Sequence, residues 1–188
     1  MTINRNEMNR RVIRLAESPN IRFWRVDYDE LSFAERVFGL IWELESEVNN
    51  GGFHQYFLNS TGALAPHIVE ALKAVGAVQT AALVQEAITQ VGSIPWSDDA
   101  ARKTIMNALS SDVIEKLNKL DQSFYAYPND LTELLYRYVD NHRAGRNASE
   151  RRASRIGRCG SMSGMWKRSH GGTTKSPSGN FTPDCRVF

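Results

Sequence analysis

Four histidines, at positions 54, 67, 142 and 170, and two cysteines, Cys159 and Cys185, are the obvious carriers of chemistry in this 188-residue chain. They do not assemble into a site. No HExxH or other His/Cys/Asp cluster has the spacing that places ligands around one metal ion. GxSxG, P-loop and GxGxxG patterns are absent, and both cysteines stand in a terminal segment without apolar periodicity. No catalytic residue, no metal and no cofactor is therefore expected.

What remains is residues 47–62, EVNNGGFHQYFLNSTG. His54 and Gln55 stand close to the carboxylates of Glu43 and Glu47 and to the amides of Asn49, Asn50 and Asn59. A histidine beside a glutamate can exchange protons with a substrate. On that reading the chain is a small-molecule-binding or hydrolytic protein using the polar corner around Asn50, His54 and Gln55. A plainer reading is preferred. Asn50, Gly51 and Gly52 follow a helix rather than a strand, the wrong context for a phosphate cradle at a helix N-terminus. Asparagine and glycine are what a tight turn between helices asks for. Phe53, Tyr56 and Phe57 have the spacing of one buried helical side, and Asn59 to Gly62 form the next turn. The stretch is then a corner with a core behind it.

The elements around the corner are helical. Residues 4–18 carry Met8, Val12, Leu15 and Ala16 on one side, and Pro19-Asn20 breaks the pattern. Ile21, Phe23 and Trp24 then pin an extended segment onto the core. Ser32 precedes Glu35 by three residues, a capping box, and Phe33, Val37, Leu40, Ile41, Leu44 and Val48 follow at the spacing of a buried stripe. Glu43, Glu45 and Glu47 make its polar side. Pro66 opens a helix that stops at Gly76, and a second stops at Gly92, the pair forming an antiparallel hairpin. Ser97 caps a helix led by Asp98 and Asp99, where a helix dipole favours anions. Ser111 opens another, with Asp112 and Glu115 in its first turns, and Asp130 with Glu133 starts the last. Seven or eight helices and no alternating strand give an all-α fold.

Net charge is near zero but unevenly spread. Residues 27–140 contain 7 Lys+Arg against 17 Asp+Glu, whereas residues 143–188 contain 10 against 2. The acidic core repels nucleic acid and attracts basic surfaces. Glu43, Glu45, Glu47, Asp98, Asp99, Asp112 and Glu115 are its candidate interaction residues. The basic tail is too poor in aliphatics to offset the roughly 1–2 kcal/mol per residue that ordering costs, and reads as disordered. Its abrupt loss of periodicity and its Arg/Ser/Gly composition match an out-of-frame continuation, the preferred reading. The competing one is an arm that binds nucleic acid electrostatically. The expected organisation is an N-terminal helix and extended segment (1–30), a helical domain (31–142) and the tail (143–188). With no apolar leader and no stretch near the roughly 20 residues of a membrane span, a cytoplasmic protein is expected.

The run LESEVNNGGFHQYFLNSTG, followed by IVEALKAVGAVQTAALVQEAI and YAYPNDLTELLYRYV, resembles a bacterial family of all-α proteins named for the C-terminal domain of a DNA-mimic protein. The similarity runs from about Leu31 to His142. Its specific part is Glu47, Asn50, Gly51, Gly52, Phe53, Gln55, Tyr56, Phe57, Asn59 and Gly62. The tail lies outside it. The resemblance implies a non-enzymatic protein whose carboxylates stand where a DNA-binding regulator expects phosphates. A toxin-neutralising, immunity-type protein would present the same surface.

Overall fold

The computed structural model describes residues 3–143. The expectation of a disordered basic tail therefore falls outside the described residues, apart from Arg143. Among the described residues there are seven α-helices and no strand: α1 (Arg5–Ala16), α2 (Phe33–Leu58), α3 (Ala65–Ala74), α4 (Val78–Val91), α5 (Asp99–Asn107), α6 (Ser111–Tyr125) and α7 (residues 131–143). Short 3₁₀ turns stand before α2 and α3. No helix among them is long and apolar enough to cross a membrane.

The long helix α2 is the axis of the fold. It packs against α3, α5 and α6, while α3 pairs with α4, and α4 with α6. Its start is the predicted capping box, Ser32 Oγ accepting from Glu35 N and Glu35 Oε2 accepting from Ser32 N at 2.8 Å. Val37, Leu40, Ile41, Leu44 and Val48 are buried as the periodicity requires. Phe33, expected in that stripe, stands in the first turn and is 52% exposed. Helices α3 and α4 stop at Gly76 and Gly92, both at positive φ, as expected of glycine ends.

Elsewhere the caps sit one residue from the expected ones. Asp98, not Ser97, accepts from Ala101 N at the start of α5, and Ser110, not Ser111, accepts from Val113 N at the start of α6. The segment after α1 is a series of turns rather than extended chain. Ile21 is buried, whereas Trp24 is largely exposed and spends its indole N–H on Glu43.

Helix α4 has no side-chain cap of its own. The missing acceptor comes from the loop before α7: Asn129 Oδ1 takes the Thr80 N–H at 2.9 Å and the Thr80 hydroxyl at 3.2 Å. In the same loop Asp130 accepts from Glu133 N, capping α7, and pairs with Arg5 at 2.6 Å. One short loop thus ties the starts of α4 and α7 to α1. Asn129→Ala leaves two donors of the buried Thr80 without their acceptor. It should cost about 1–2 kcal/mol in urea unfolding, the range of a lost N-cap. An unchanged midpoint would show that the loop does not cap α4.

Candidate functional site: the break in helix α2

The polar corner is a break inside α2. Gly51 has φ −162° and ψ 23°, and Gly52 has φ +75° and ψ −178°. Gly51 stays outside the left-handed region, although a Cβ there would meet the Gln55 side chain; Gly52 lies in a region that only glycine enters without strain. A Cβ on Gly52 would also collide with the carboxylate of Asp121. Two turns later, Gly62 is buried so tightly that a Cβ would run into the Phe57 carbonyl.

A break in a helix interrupts its backbone ladder, and buried backbone groups must find other partners. Helix α6 supplies them. Asp121 Oδ1 accepts from Phe53 N at 2.8 Å, and the Tyr125 hydroxyl donates to Val48 O at 2.9 Å. Asp121 and Tyr125 are four residues apart, hence on one side of α6. Glu47 bridges the break, Oε2 accepting from Gln55 Nε2 at 3.0 Å and from Asn59 Nδ2 at 2.7 Å.

Beyond the break, Phe53, Tyr56 and Phe57 are fully buried. Phe53 meets Phe124 edge-on with ring centroids 5.7 Å apart, and Phe57 packs against Trp96 at 5.4 Å. The end of this aromatic block is closed by Arg102, which is 1% exposed. Its guanidinium donates to the carbonyls of Phe57, Trp96 and Asn59 and to Asp99. A cation is well placed where helix carbonyls lack N–H partners.

His54 Nε2 lies 3.2 Å from Met106 O; since a carbonyl only accepts, that nitrogen carries the proton. His54 and Glu47 therefore hold different partners and do not form an acid-base pair. Asn50 is exposed. Gln55 is engaged by Glu47, so Asn50, His54 and Gln55 do not converge on a common point. Among the described residues no group of three or more His, Cys, Asp or Glu could hold a metal ion.

The acidic residues divide in a way that composition does not show. Helical geometry sets Glu45 about 200° around the axis from Glu43, so the three α2 glutamates do not share a side. Glu43 accepts from Trp24, Glu45 stands beside the Tyr127 phenol, and Glu47 holds two amides. All three are partly buried. Desolvation pushes the carboxyls of Glu43 and Glu45 above their ordinary range. Asp99 is paired with Lys103 and Arg102, and Glu115 with Lys119. Asp98 and Asp112 are exposed with no basic partner among the described residues.

Asp121, Tyr125 and Arg102 were not anticipated, though a trace of the two charged ones is present. Asp121 falls in register with Leu117 and Phe124 on the buried side of α6, and Arg102 with Met106 on that of α5. A charge standing on an apolar stripe is the signal.

These features define an all-α protein with a glycine-broken central helix, re-bonded by a later one and sealed by a buried arginine. The chain belongs to the DMP19-like protein family, whose model matches residues 29–142, and the motif around the break lies wholly inside that match. No curated protein and no solved structure matches it.

Gly52→Ala should destabilise by about 3 kcal/mol or more, from backbone strain plus the collision. Asp121→Ala should cost about 1–3 kcal/mol by stranding the Phe53 N–H. Because removing the carboxylate also removes the collision, the double variant should lose less than the sum. Strict additivity in urea unfolding would separate the two residues.

Burial raises the Asp121 carboxyl as well as those of Glu43 and Glu45. Such groups keep their protons longer in the folded chain than in the unfolded one. Stability therefore falls as pH rises from the ordinary values, 3.8 for Asp and 4.5 for Glu, through the raised native ones. Glu7, Asp99 and Glu115 are lowered by Arg11, Lys103 and Lys119 and act in the opposite sense, but sit in surface ion pairs that solvent screens. Thermal melts should show Tm rising from about pH 7 to about pH 5, and Glu43→Gln with Glu45→Gln and Asp121→Asn should flatten the rise. A Tm that drops over that interval contradicts the assignment.

Proposed function

We propose that this is a non-enzymatic interaction protein whose exposed carboxylates engage a basic partner, of the kind offered by the DNA-binding face of a regulator. The family is named for a DNA mimic protein, and mimicry is one chemistry that an acidic helical surface supports. The observation that carries the reading is the set of carboxylates left outside the fold. The 3₁₀ turn before α2 presents Asp27, Asp29 and Glu30, all exposed, Asp29 with 99% of its side chain in water. Tyr28 in that turn stacks on His67 of α3 at 5.0 Å, and the charges of Glu70 and Asp29 both reach the Tyr28 phenol. Asp27, Asp29, Glu30 and Glu70 thereby share one region, opposed by Arg36, whose guanidinium lies over the Tyr28 ring and 4.0 Å from Asp29, and by Arg22, which donates to the Glu30 carbonyl at 3.2 Å. Asp98, which also caps α5, and Asp112 are exposed elsewhere on the surface. The α2 glutamates contribute field more than outer-surface contacts, since all three are partly buried.

An acidic surface of this kind binds through charge, so affinity should fall steeply with added salt. The full chain is to be used as bait, partners identified by mass spectrometry, and affinity for the recovered partner measured across a salt series. Asp27→Lys with Glu30→Lys and Glu70→Lys should reduce affinity at least tenfold if the turn and α3 form the contact face. Asp112→Lys should do so if α6 forms it. Affinity indifferent to salt and to both reversals would overturn the reading.

A further inference from the structure

A cleft of about 260 Å³ opens between α1, α2 and the start of α7, away from the aromatic block. Its wall combines Val12 and Ile13 from α1 with Trp42, Glu45 and Asn49 from α2 and Thr132 from α7. Among the described residues Glu45 is the only acidic one lining it, and no lysine or arginine does. The charge of Arg5 reaches Glu45, but its guanidinium is bound to Asp130 at 2.6 Å. Asn49 Nδ2 donates to the Tyr127 hydroxyl at 2.8 Å, and that phenol stands beside Glu45, where it favours the ionised carboxylate.

The cleft is thus apolar on one side, aromatic at Trp42 and anionic at one fixed point. A partly buried carboxylate without a cation of its own leaves part of its desolvation uncompensated. A guest with a short aliphatic stem and a positive head would supply what is missing. Its stem would lie on Val12 and Ile13, and its head would reach Glu45 beside the Trp42 ring. Phosphate-like or carboxylate guests would meet only repulsion there.

We infer that this cleft is a binding site for a primary alkylammonium group. The same chemistry is carried by a free small amine and by a lysine side chain. The site is separate from the exposed carboxylates of the proposed contact face, so either reading can fail without the other.

The test uses the full chain and ¹H–¹⁵N NMR, because four tryptophans would blur a fluorescence readout. Butylamine, as butylammonium, should give saturable shifts confined to the neighbourhood of Val12, Ile13, Asn49 and Thr132, and butanol at equal concentration should not. Glu45→Gln, which keeps the side-chain shape, should weaken butylammonium about tenfold or more, the range of a hydrogen bond to a charged group. Its spectrum without ligand should confirm an intact fold. Nα-acetyl-lysine amide binding more tightly than butylamine would assign the guest to a lysine side chain, and weaker binding to a free amine. Equal binding of butanol, undiminished binding to the Gln variant, or no saturable shift would each overturn the assignment.

Discussion

The fold depends on one repair. Helix α2 is broken at Gly51–Gly52, and the backbone groups on either side of the break are taken up by two side chains of α6. Without Asp121, the Phe53 N–H would be buried and unpaired, a penalty comparable to a large share of a domain's net stability. With it, the break becomes useful. The chain turns enough for Phe53, Tyr56 and Phe57 to enter a core that also contains Phe124 and Trp96. Arg102 then closes the far end by gathering the carbonyls of Phe57 and Asn59. The break, its repair and the seal are one device: each element presumes the other two.

The loop between α6 and α7 extends that device. Tyr127 has φ +48°, a left-handed conformation uncommon for a residue with a side chain. Holding it there places its hydroxyl between Asn49 and Glu45 and brings Asn129 to the uncapped start of α4. The YAYPND stretch therefore performs four local tasks with Tyr125, Tyr127, Asn129 and Asp130. Strain at one position is tolerated because the neighbouring contacts over-determine it.

Legibility in the sequence followed the range of the interactions. Helix existence, the capping box at Ser32 and the glycine ends at Gly76 and Gly92 depend on residues within a turn of one another, and could be read directly. The corner at Asn50–Gly52 with its buried aromatics was legible for the same reason. Contacts between distant residues were not. Asp121 to Phe53, Asn129 to Thr80 and Arg102 to Phe57 join residues 45 to 68 positions apart. Nothing in a linear pattern states which helix lies opposite which. The α2 glutamates misled for a related reason. A carboxylate with the spacing of a solvated face reads as exposed until a neighbouring helix or loop covers it, as Trp24, Tyr127, Gln55 and Asn59 do here.

That difference bears on what the family motif can report. Of its ten residues, Gly52 and Gly62 answer to backbone geometry, and Phe53, Tyr56 and Phe57 to the core. Glu47, Gln55 and Asn59 answer to the bridge across the break. Those eight are accounted for by the fold, and among them only the bridge is polar. A motif of this kind specifies a scaffold, and a scaffold leaves its surface free to vary. The residues that would decide a partner, Asp27, Asp29, Glu30, Glu70, Asp98 and Asp112, and those lining the Glu45 cleft, all lie outside it. Chains sharing the motif can therefore share the broken helix and its repair while differing in charge at every exposed position. On the proposed reading, function belongs to the outer surface and the cleft, and the stretch that identifies the family belongs to the scaffold.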